Sequence, residues 1–454
     1  DNKVAPSYQN FGDMTWRNYS NELPDLNNQG KEVYASFNIK YMVYQEGIYV
    51  GYKYYETRYE DSILNPNSNA SSNIGSSNNT NWNYNDEVAF PFGYGNSYTK
   101  FEYSNYNIEE KDNHYLVKVD VKNIGEEIGK DAVQVYLQKP YTQYDKEHNI
   151  EKSSVELVGF AKTKKLNPNE STTIEINVPK EEFKTYDSYS KGTYILEKGD
   201  YYLAFGKNAH DALNNILKAK NASSSYYDNQ GDAKYVHKIE KTEDDFTTYS
   251  ISEKTGNKIT NQFEDADVNL YKNTQDQKTT YLSRSNWEGT YPTGALLKCT
   301  NLDMINDMQY TLASEEVNNT ENVKMPLYNQ DNGLSLIDLM YDDYNSEKWN
   351  QLLDQMSYEE QCKLVLYGSN AIAGAASINA PGAKSMDGPA GMRLAEGTNA
   401  YPSETLMATT FNLPLIEEMG EAFGMEMLSN GYTGIYGPGA NIHRSNNSGR
   451  NFEY

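Results

Sequence analysis

Cysteine is almost absent from this chain, with Cys299 and Cys362 the only two among 454 residues. Two thiols without metal-ligand spacing exclude a disulfide framework and a zinc ribbon alike, and they say nothing about compartment. Both are expected as buried free thiols. Long apolar runs are missing too: no stretch reaches the roughly 18 consecutive apolar residues that a membrane span needs. Positive charge is scarce, since 40 Lys and Arg stand against 64 Asp and Glu for a formal net charge of −24. Such a surface repels phosphate backbones and anionic membranes, so nucleic acid is excluded as a partner. No signal peptide opens the chain, and it begins at Asp1 without a methionine, so its start reads as cut.

Length and pattern are informative where these features are not. The chain is long enough for about two to four domains, each with a core of its own. Tyr is frequent, at 41 residues, a bias that suits hydrogen-bonding surfaces without specifying one. Asn18, Asn69 and Asn78 open glycosylation acceptor triplets, which arise by chance in an Asn-rich chain and carry little weight.

Tyr41 to Asp61, rich in aromatic and β-branched residues, reads as an extended, partly buried segment. The Asn/Ser-rich stretch 63–85 holds hardly any apolar residue and reads as a loop that cannot offset its ordering entropy. From Phe101 to Phe205 the alternation is regular: Val117, Val119 and Val121, then Val133, Val135 and Leu137, then Ile174, Ile176 and Val178 each face one way. A period of two predicts half-buried strands, and turn residues between them predict an antiparallel β-sandwich. Asp211 to Lys220 has the pattern of a short helix. Residues 211–335 otherwise read as an extended connector, with Glu288 beside Trp287 as a surface staple.

After Gly333 the period becomes helical. Ser346 is placed to cap a helix that buries Trp349, Leu352, Leu353 and Met356. Ser357 with Glu360 forms a capping box for a second helix, with Tyr358, Cys362 and Val365 inward. "KSMDGPAGMR" (Lys384 to Arg393) reads as a sharp turn. A third helix opens at Pro414, buries Ile416, Met419, Phe423 and Met427, and stops at Asn430-Gly431. An apolar strand, Gly434 to Tyr436, then runs into a glycine-rich polar loop, which is how a βα barrel alternates.

Functional groups in such a barrel collect on loops after the strands' C-terminal ends, where "GPGANIHRSNNSGR" falls. Arg444 and Arg450 offer planar donor forks there, though an arginine in a loop is as readily a solvated surface group. His443 is as readily a structural histidine, and Asp387, in Asp-Gly-Pro, as readily a turn former. A sugar site needs a carboxylate for vicinal hydroxyls and arginines that donate to others, and Asp387, Arg393 and Arg450 are residues of those kinds.

"MDGPAGMR", "YPSETLMATTFN", "GIYGPGANIHRS" and "GRNFEY" resemble, in order, signatures from the start of the catalytic barrel in glycoside hydrolase family 3, which contains many β-glucosidases. "EGIYVGYKYYE" and "FPFGYGNSYTKFEYSN" resemble the end of that family's α/β sandwich domain and the entry to its fibronectin type III-like domain. The resemblance spans roughly residues 30–210 and 335–454. It implies a multidomain α/β plus β protein: residues 1–89 as the tail of an α/β sandwich domain with an Asn/Ser-rich loop, 90–210 as a fibronectin type III-like β-sandwich, 211–335 as connector, and 336–454 as the start of a (β/α)8-type TIM barrel. That order is similar to the family's permuted branch, in which the barrel comes last.

The same resemblance implies that Asp387 binds sugar hydroxyls, with Arg393 and Arg450 in the same pocket and His443 and Arg444 shaping the loop. It implies retaining, exo-acting β-glucosidase chemistry, with two carboxyls about 5 to 5.5 Å apart, and no metal or organic cofactor. The family's nucleophile aspartate and acid/base glutamate have no matching positions here; "SRSNW" (Ser283 to Trp287) has Asn286 where an aspartate would stand. The chain therefore reads as an internal fragment without catalytic residues of its own. The implied partner is a β-linked oligosaccharide or glucoside, and a homo-oligomer is compatible with it. β-Xylosidase or another β-glycosidase is the alternative enzyme, and a non-catalytic carbohydrate-binding or interaction module the alternative of another class.

Overall fold

The computed structural model describes residues 16–18, 40–42, 46–264, 267, 281–287, 325–368, 371–392, 398–443, 449–451 and 453. They fall in two compact units, Asp1–Tyr310 and Thr311–Tyr454.

The first unit is built on a β-sandwich. One sheet orders β3 (Phe101–Glu110), β4 (His114–Asn123) and β7 (Ser171–Pro179); the other orders β11 (Val236–Lys241), β10 (Gly199–Gly206), β5 (Ala132–Gln138) and β6 (Glu156–Lys162). Every pairing in both is antiparallel. The expected alternation holds: Val117, Val119, Val121, Val133, Val135, Leu137, Ile176 and Val178 are buried together, with Leu203 and Phe205 from β10. Two short pairs lie outside the sandwich, β1 (Trp16–Asn18) with β2 (Lys40–Met42) and β8 (Thr185–Asp187) with β9 (Thr193–Ile195). Strand β11 comes from the stretch read as connector.

One strand departs from half-burial. In β5 the second face is buried as well, including Gln134, Tyr136 and Gln138, because a helical layer covers that side of the sheet. Helix α4 (Ala209–Ala219), read from its sequence as Asp211 to Lys220, packs Ala212, Leu213, Ile216 and Leu217 into a common core with Tyr136, Tyr202 and Ala204. Gln138 Nε2 donates to Ser154 O at 2.7 Å and to Glu60 Oε1 at 3.0 Å, while its Oε1 is buried without a partner among the described residues.

Helix α1 (Tyr52–Leu64) joins the same core and corrects the extended reading of Tyr41 to Asp61. Tyr55, Tyr59 and Ile63 recur at a spacing of four, which places them on one helical face. Aromatic composition favours strands only where a pleated surface receives it, and here burial against α4 overrides propensity. A short helix α2 (Tyr84–Glu87) follows. The Asn/Ser-rich stretch is also ordered, contrary to expectation. Arg58, fully buried on α1, donates from Nε to Ala70 O at 2.8 Å and from Nη2 to Ser72 O at 3.1 Å, while its guanidinium lies 5.0 Å from the Trp82 ring centroid. One side chain supplies the interactions that the segment's own composition lacks. A further short helix, α3 (Gln143–His148), carries a capping box from Thr142 and Asp145.

Trp287 is not a surface staple. It is 1% exposed, and its Nε1 donates to Asp61 Oδ2 at 2.8 Å; Glu288 lies outside the described residues. Next to it Arg284 donates from Nη2 to Asp61 Oδ1 at 2.5 Å and to Glu60 Oε2 at 3.2 Å. Burial works to raise Glu60, but Lys220 and Arg284 outweigh it and hold its carboxyl below the usual range. At Asp61 burial wins, so its carboxyl lies above that range despite Arg284.

The second unit has a small described core of Leu339, Leu352, Met356, Ala375 and Ile378. Helix α5 (Lys348–Gln355) buries Leu352 with Met356 just after it, and Trp349 is partly buried, whereas Leu353 is 48% exposed. The expected cap differs: Glu347 is the N-cap and makes no side-chain cap bond, while Ser346 Oγ, one residue earlier, accepts from Lys348 N at 3.4 Å. Helix α6 (Tyr358–Leu366) has the expected capping box of Ser357 and Glu360. Its buried side differs from expectation: Tyr358 is 64% and Val365 83% exposed. Glu360 accepts from Ser377 N at 3.1 Å and Ser377 Oγ at 2.7 Å, turning the Glu360–Leu364 side inward. Cys362 is a half-buried free thiol, and Cys299 lies outside the described residues.

Candidate functional site

Lys384 to Arg393 begins as a strand rather than a turn. Strand β13 (Ala383–Asp387) pairs antiparallel with β12 (Ala371–Ile372) on one side and parallel with β14 (Gly434–Tyr436) on the other. Between the parallel strands run α7 (Glu404–Ala408) and α8 (Leu413–Ser429), the helical crossover that parallel pairing requires. Helix α8 has Pro at its start, half-buries Ile416, Met419 and Phe423, buries Met427, and ends at Asn430 with Gly431 at φ 77°. Those limits agree with the sequence reading.

The register Ser385↔Gly434, Met386↔Ile435, Asp387↔Tyr436 ends both strands at the same level. Registered neighbours in a parallel pair leave the same face of the sheet, so the exposed Asp387 carboxylate and the Tyr436 ring, 47% exposed, stand side by side. The loops that follow also meet. A Cβ at Gly437 would come within 3.3 Å of Pro389 Cα, close enough that the neighbouring loop would have to give by a few tenths of an ångström. The Gly437-Pro438 bond is cis.

Beyond the strand ends, Glu404 Oε1 accepts from Gly439 N at 3.3 Å, and its other oxygen is enclosed without a partner among the described residues. His443, half-buried at φ 51°, lies with Nε2 3.5 Å from Thr405 Oγ1. The start of α7 therefore fastens the loop after β14 at two points. Arg450 forms an ion pair with Glu453 and is 58% exposed at its side chain. Arg393 and Arg444 lie outside the described residues.

The geometry thus joins the loops of Asp387 and His443 at one end of a parallel strand pair, and it seats Arg450 against Glu453. Reading the sequence for charged groups passed over Tyr436 and Glu404. A tyrosine that ends a strand immediately before Gly-Pro-Gly was the available signal for the first. For Glu404 there was none, because its role depends on a backbone N–H 35 residues away. An acceptor carboxylate beside a partly exposed ring can take hydroxyl donors while the ring covers an apolar face. Among the described residues no group of three or more His, Cys, Asp or Glu is arranged to hold a metal ion.

A fibronectin type III-like domain model matches residues 131–209. Over 430 residues, 91% of this chain, the sequence is 28% identical to a β-glucosidase of Ruminococcus albus. Over 445 residues it is 26% identical to β-glucosidase A of Butyrivibrio fibrisolvens. A solved β-glucosidase from Paenibacillus barengoltzii shares the fold, with a TM-score of 0.54 at 22% identity over 96% of this chain and 41% of that one. These likenesses define a mixed α/β and β architecture with a fibronectin type III-like domain. The chain is thus similar to β-glucosidases over most of its length and carries a fibronectin type III-like domain. It spans 36% and 46% of the lengths of the two bacterial relatives.

Proposed function

We propose that this chain is part of a retaining, exo-acting β-glucosidase that releases a terminal β-D-glucosyl residue from oligosaccharides or glucosides. The observation that carries the reading is the 28% identity to the Ruminococcus albus β-glucosidase over 91% of the chain. In this reading residues 1–89 close an α/β sandwich domain, 90–210 form the fibronectin type III-like domain, 211–335 connect, and 336–454 begin a TIM barrel in the permuted order. The β13–crossover–β14 unit is consistent with two neighbouring barrel strands, and a barrel's chemistry gathers at their C-terminal ends.

Asp387 there accepts hydrogen bonds from sugar hydroxyls, strengthening as the ring flattens toward an oxocarbenium-like state. Tyr436 covers the sugar's apolar face, Arg393 and Arg450 donate to other hydroxyls, and His443 and Arg444 shape the loop. For Arg450 this requires exchanging Glu453 for substrate. None of these residues acts as nucleophile or acid/base, so the chain by itself is expected not to turn over aryl β-glucosides.

The test is Asp387→Ala in the complete enzyme, with aryl β-glucoside turnover as the readout. Loss of a contact that strengthens in the transition state lowers kcat/KM by about 10² to 10⁴-fold. An unchanged rate removes Asp387 from the site. A β-xylosidase reading draws on a 33% identity to a putative β-xylosidase of Formosa agariphila over 130 residues; comparing aryl β-xyloside with aryl β-glucoside turnover decides between them.

A further inference from the structure

A cavity of about 670 Å³ opens at one end of the β-sandwich, where the β3–β4 turn, the segment after β7 and the residues following β11 come together. Its floor is aromatic and aliphatic: Tyr115, Phe183 and Tyr201 are buried there, Ile239 is half-buried, and the half-buried Tyr249 forms a wall. Exposed carboxylates of Asp112, Glu240 and Glu253 stand on the rim, and none of the three makes an ion pair among the described residues.

One of the protein's own ammonium groups already shows how this cleft handles a cation. Lys180 Nζ lies 5.4 Å from the Tyr115 ring centroid and 2.6 Å from Glu110 Oε1. It is held between a ring face and a carboxylate, the arrangement that lets a cation leave water at little cost. Asp112, Glu240 and Glu253 repeat the carboxylate half of that arrangement around the same floor.

We propose that the cleft binds a linear polyamine, whose ammonium groups pair with Asp112, Glu240 and Glu253 while its methylene chain lies over the floor. The volume falls within the ordinary range for small-ligand sites. Glu110, Asp112, Glu181, Glu240, Asp245 and Glu253 outnumber Lys180 and Lys241 in the lining, so a neutral sugar forgoes the rim charges, an anion meets a net negative field, and the chemistry selects an extended aliphatic cation.

Titration calorimetry of the full chain with spermidine at low ionic strength tests this, with cellobiose as a neutral control. The expected result is one saturable spermidine site and no cellobiose heat at the same concentrations. Substituting Asp112→Asn, Glu240→Gln and Glu253→Gln together weakens the site about tenfold or more. Substituting Glu417→Gln, Glu418→Gln and Glu421→Gln, exposed on α8, removes the same charge and leaves affinity unchanged. Equal weakening by both sets means diffuse attraction to an acidic protein and overturns the proposal, as does the absence of saturable binding. Tyr249→Leu, which keeps every carboxylate, weakens binding several-fold if the ring wall takes part; unaltered affinity in that variant also overturns it.

Discussion

Unit 1 buries Arg58, Glu60, Lys152 and Arg284, whereas unit 2 leaves Tyr341, Tyr344 and Val365 on the outside, each more than four-fifths exposed. Arg284 finds its partners far along the chain, reaching Glu60 across 224 positions and Asp61 across 223, whereas Arg58 is held by groups within 14 positions. No one of these ions is tolerable inside until the fold has brought the others to it, so order in unit 1 is collective. In unit 2 the described helix caps are short in sequence, while the β13–β14 pairing and the bond from Gly439 N to Glu404, 35 positions apart, are not. Ser357 and Glu360 cap α6 from within its first turn, and Glu360, held by Ser357 and Ser377 N–H and hydroxyl groups, has a carboxyl brought down to about 2. Elements specified in this way form locally, and the small core that joins them contributes less cooperativity.

The contrast breaks most readily at Arg284. Arg284→Met takes a cation away from both Asp61 and Glu60, of which Glu60 keeps Lys220 at 2.8 Å, and destabilises unit 1 by about 3–5 kcal/mol, read from chemical denaturation followed by Trp fluorescence; a change under about 1 kcal/mol removes the claim that unit 1 depends on this ion cluster.

His210 sharpens it next. Its Nδ1 lies 2.8 Å from Glu56 Oε2 and its Nε2 3.2 Å from Asp228 Oδ2, and its ring stacks on Tyr84 at 4.0 Å. Burial works to lower its pKa, but Glu56 and Asp228 outweigh that and push it up to about 9. The folded value exceeds the unfolded 6.5, so the stabilisation is complete below pH 6.5 and disappears as pH rises through about 9. About 3 kcal/mol of unit 1 stability is expected to vanish across that window, and His210→Gln flattens the profile. A wild-type profile already flat from pH 6 to 10 contradicts this.

In unit 2 Met356, fully buried in the small core, is the corresponding target. Met356→Ala costs about 2 kcal/mol or somewhat more, measured by hydrogen exchange in α5 and α6, with no change in unit 1 protection. Simultaneous loss of protection in both units erases the distinction. The smallest effect belongs to Ser357→Ala, about 1 kcal/mol, confined to the first turn of α6. Exchange spreading into α8 shows instead that unit 2 is collective.

Much of this architecture is legible in the residues themselves, and the boundary follows the same contrast. The strands through Val117–Val121 and Val133–Leu137, the capping box at Ser357, and α8 from Pro414 to Asn430-Gly431 all rest on periods and neighbours within a few positions. Helix α1 was read as extended because its tyrosines suit a strand until α4 is packed on it. The ordering of residues 65–83 depends on Arg58 and on the burial of Ala70 and Trp82 in the core, and the burial of Trp287 on Asp61, none of which any local pattern announces. For the candidate site, the carboxylate Asp387 and the strand Gly434–Tyr436 could be picked out in advance. Their registration, and the attachment of the following loop to Glu404, come from strand pairing, which composition does not encode.

Arg58 carries a consequence for how the surface around residues 65–83 can change. Because the carbonyls it holds belong to backbone, those hydrogen bonds do not depend on which side chains stand at Asn69 and Ser72, whereas Ala70 is buried in the core and leaves no room for a larger residue. The segment is thus a surface ribbon anchored by Arg58 together with the buried Ala70 and Trp82 and the bond from Ser77 N to Glu87 Oε1: new surface chemistry can be written at its exposed positions, while removing Arg58 is expected to loosen the part around residues 69–72.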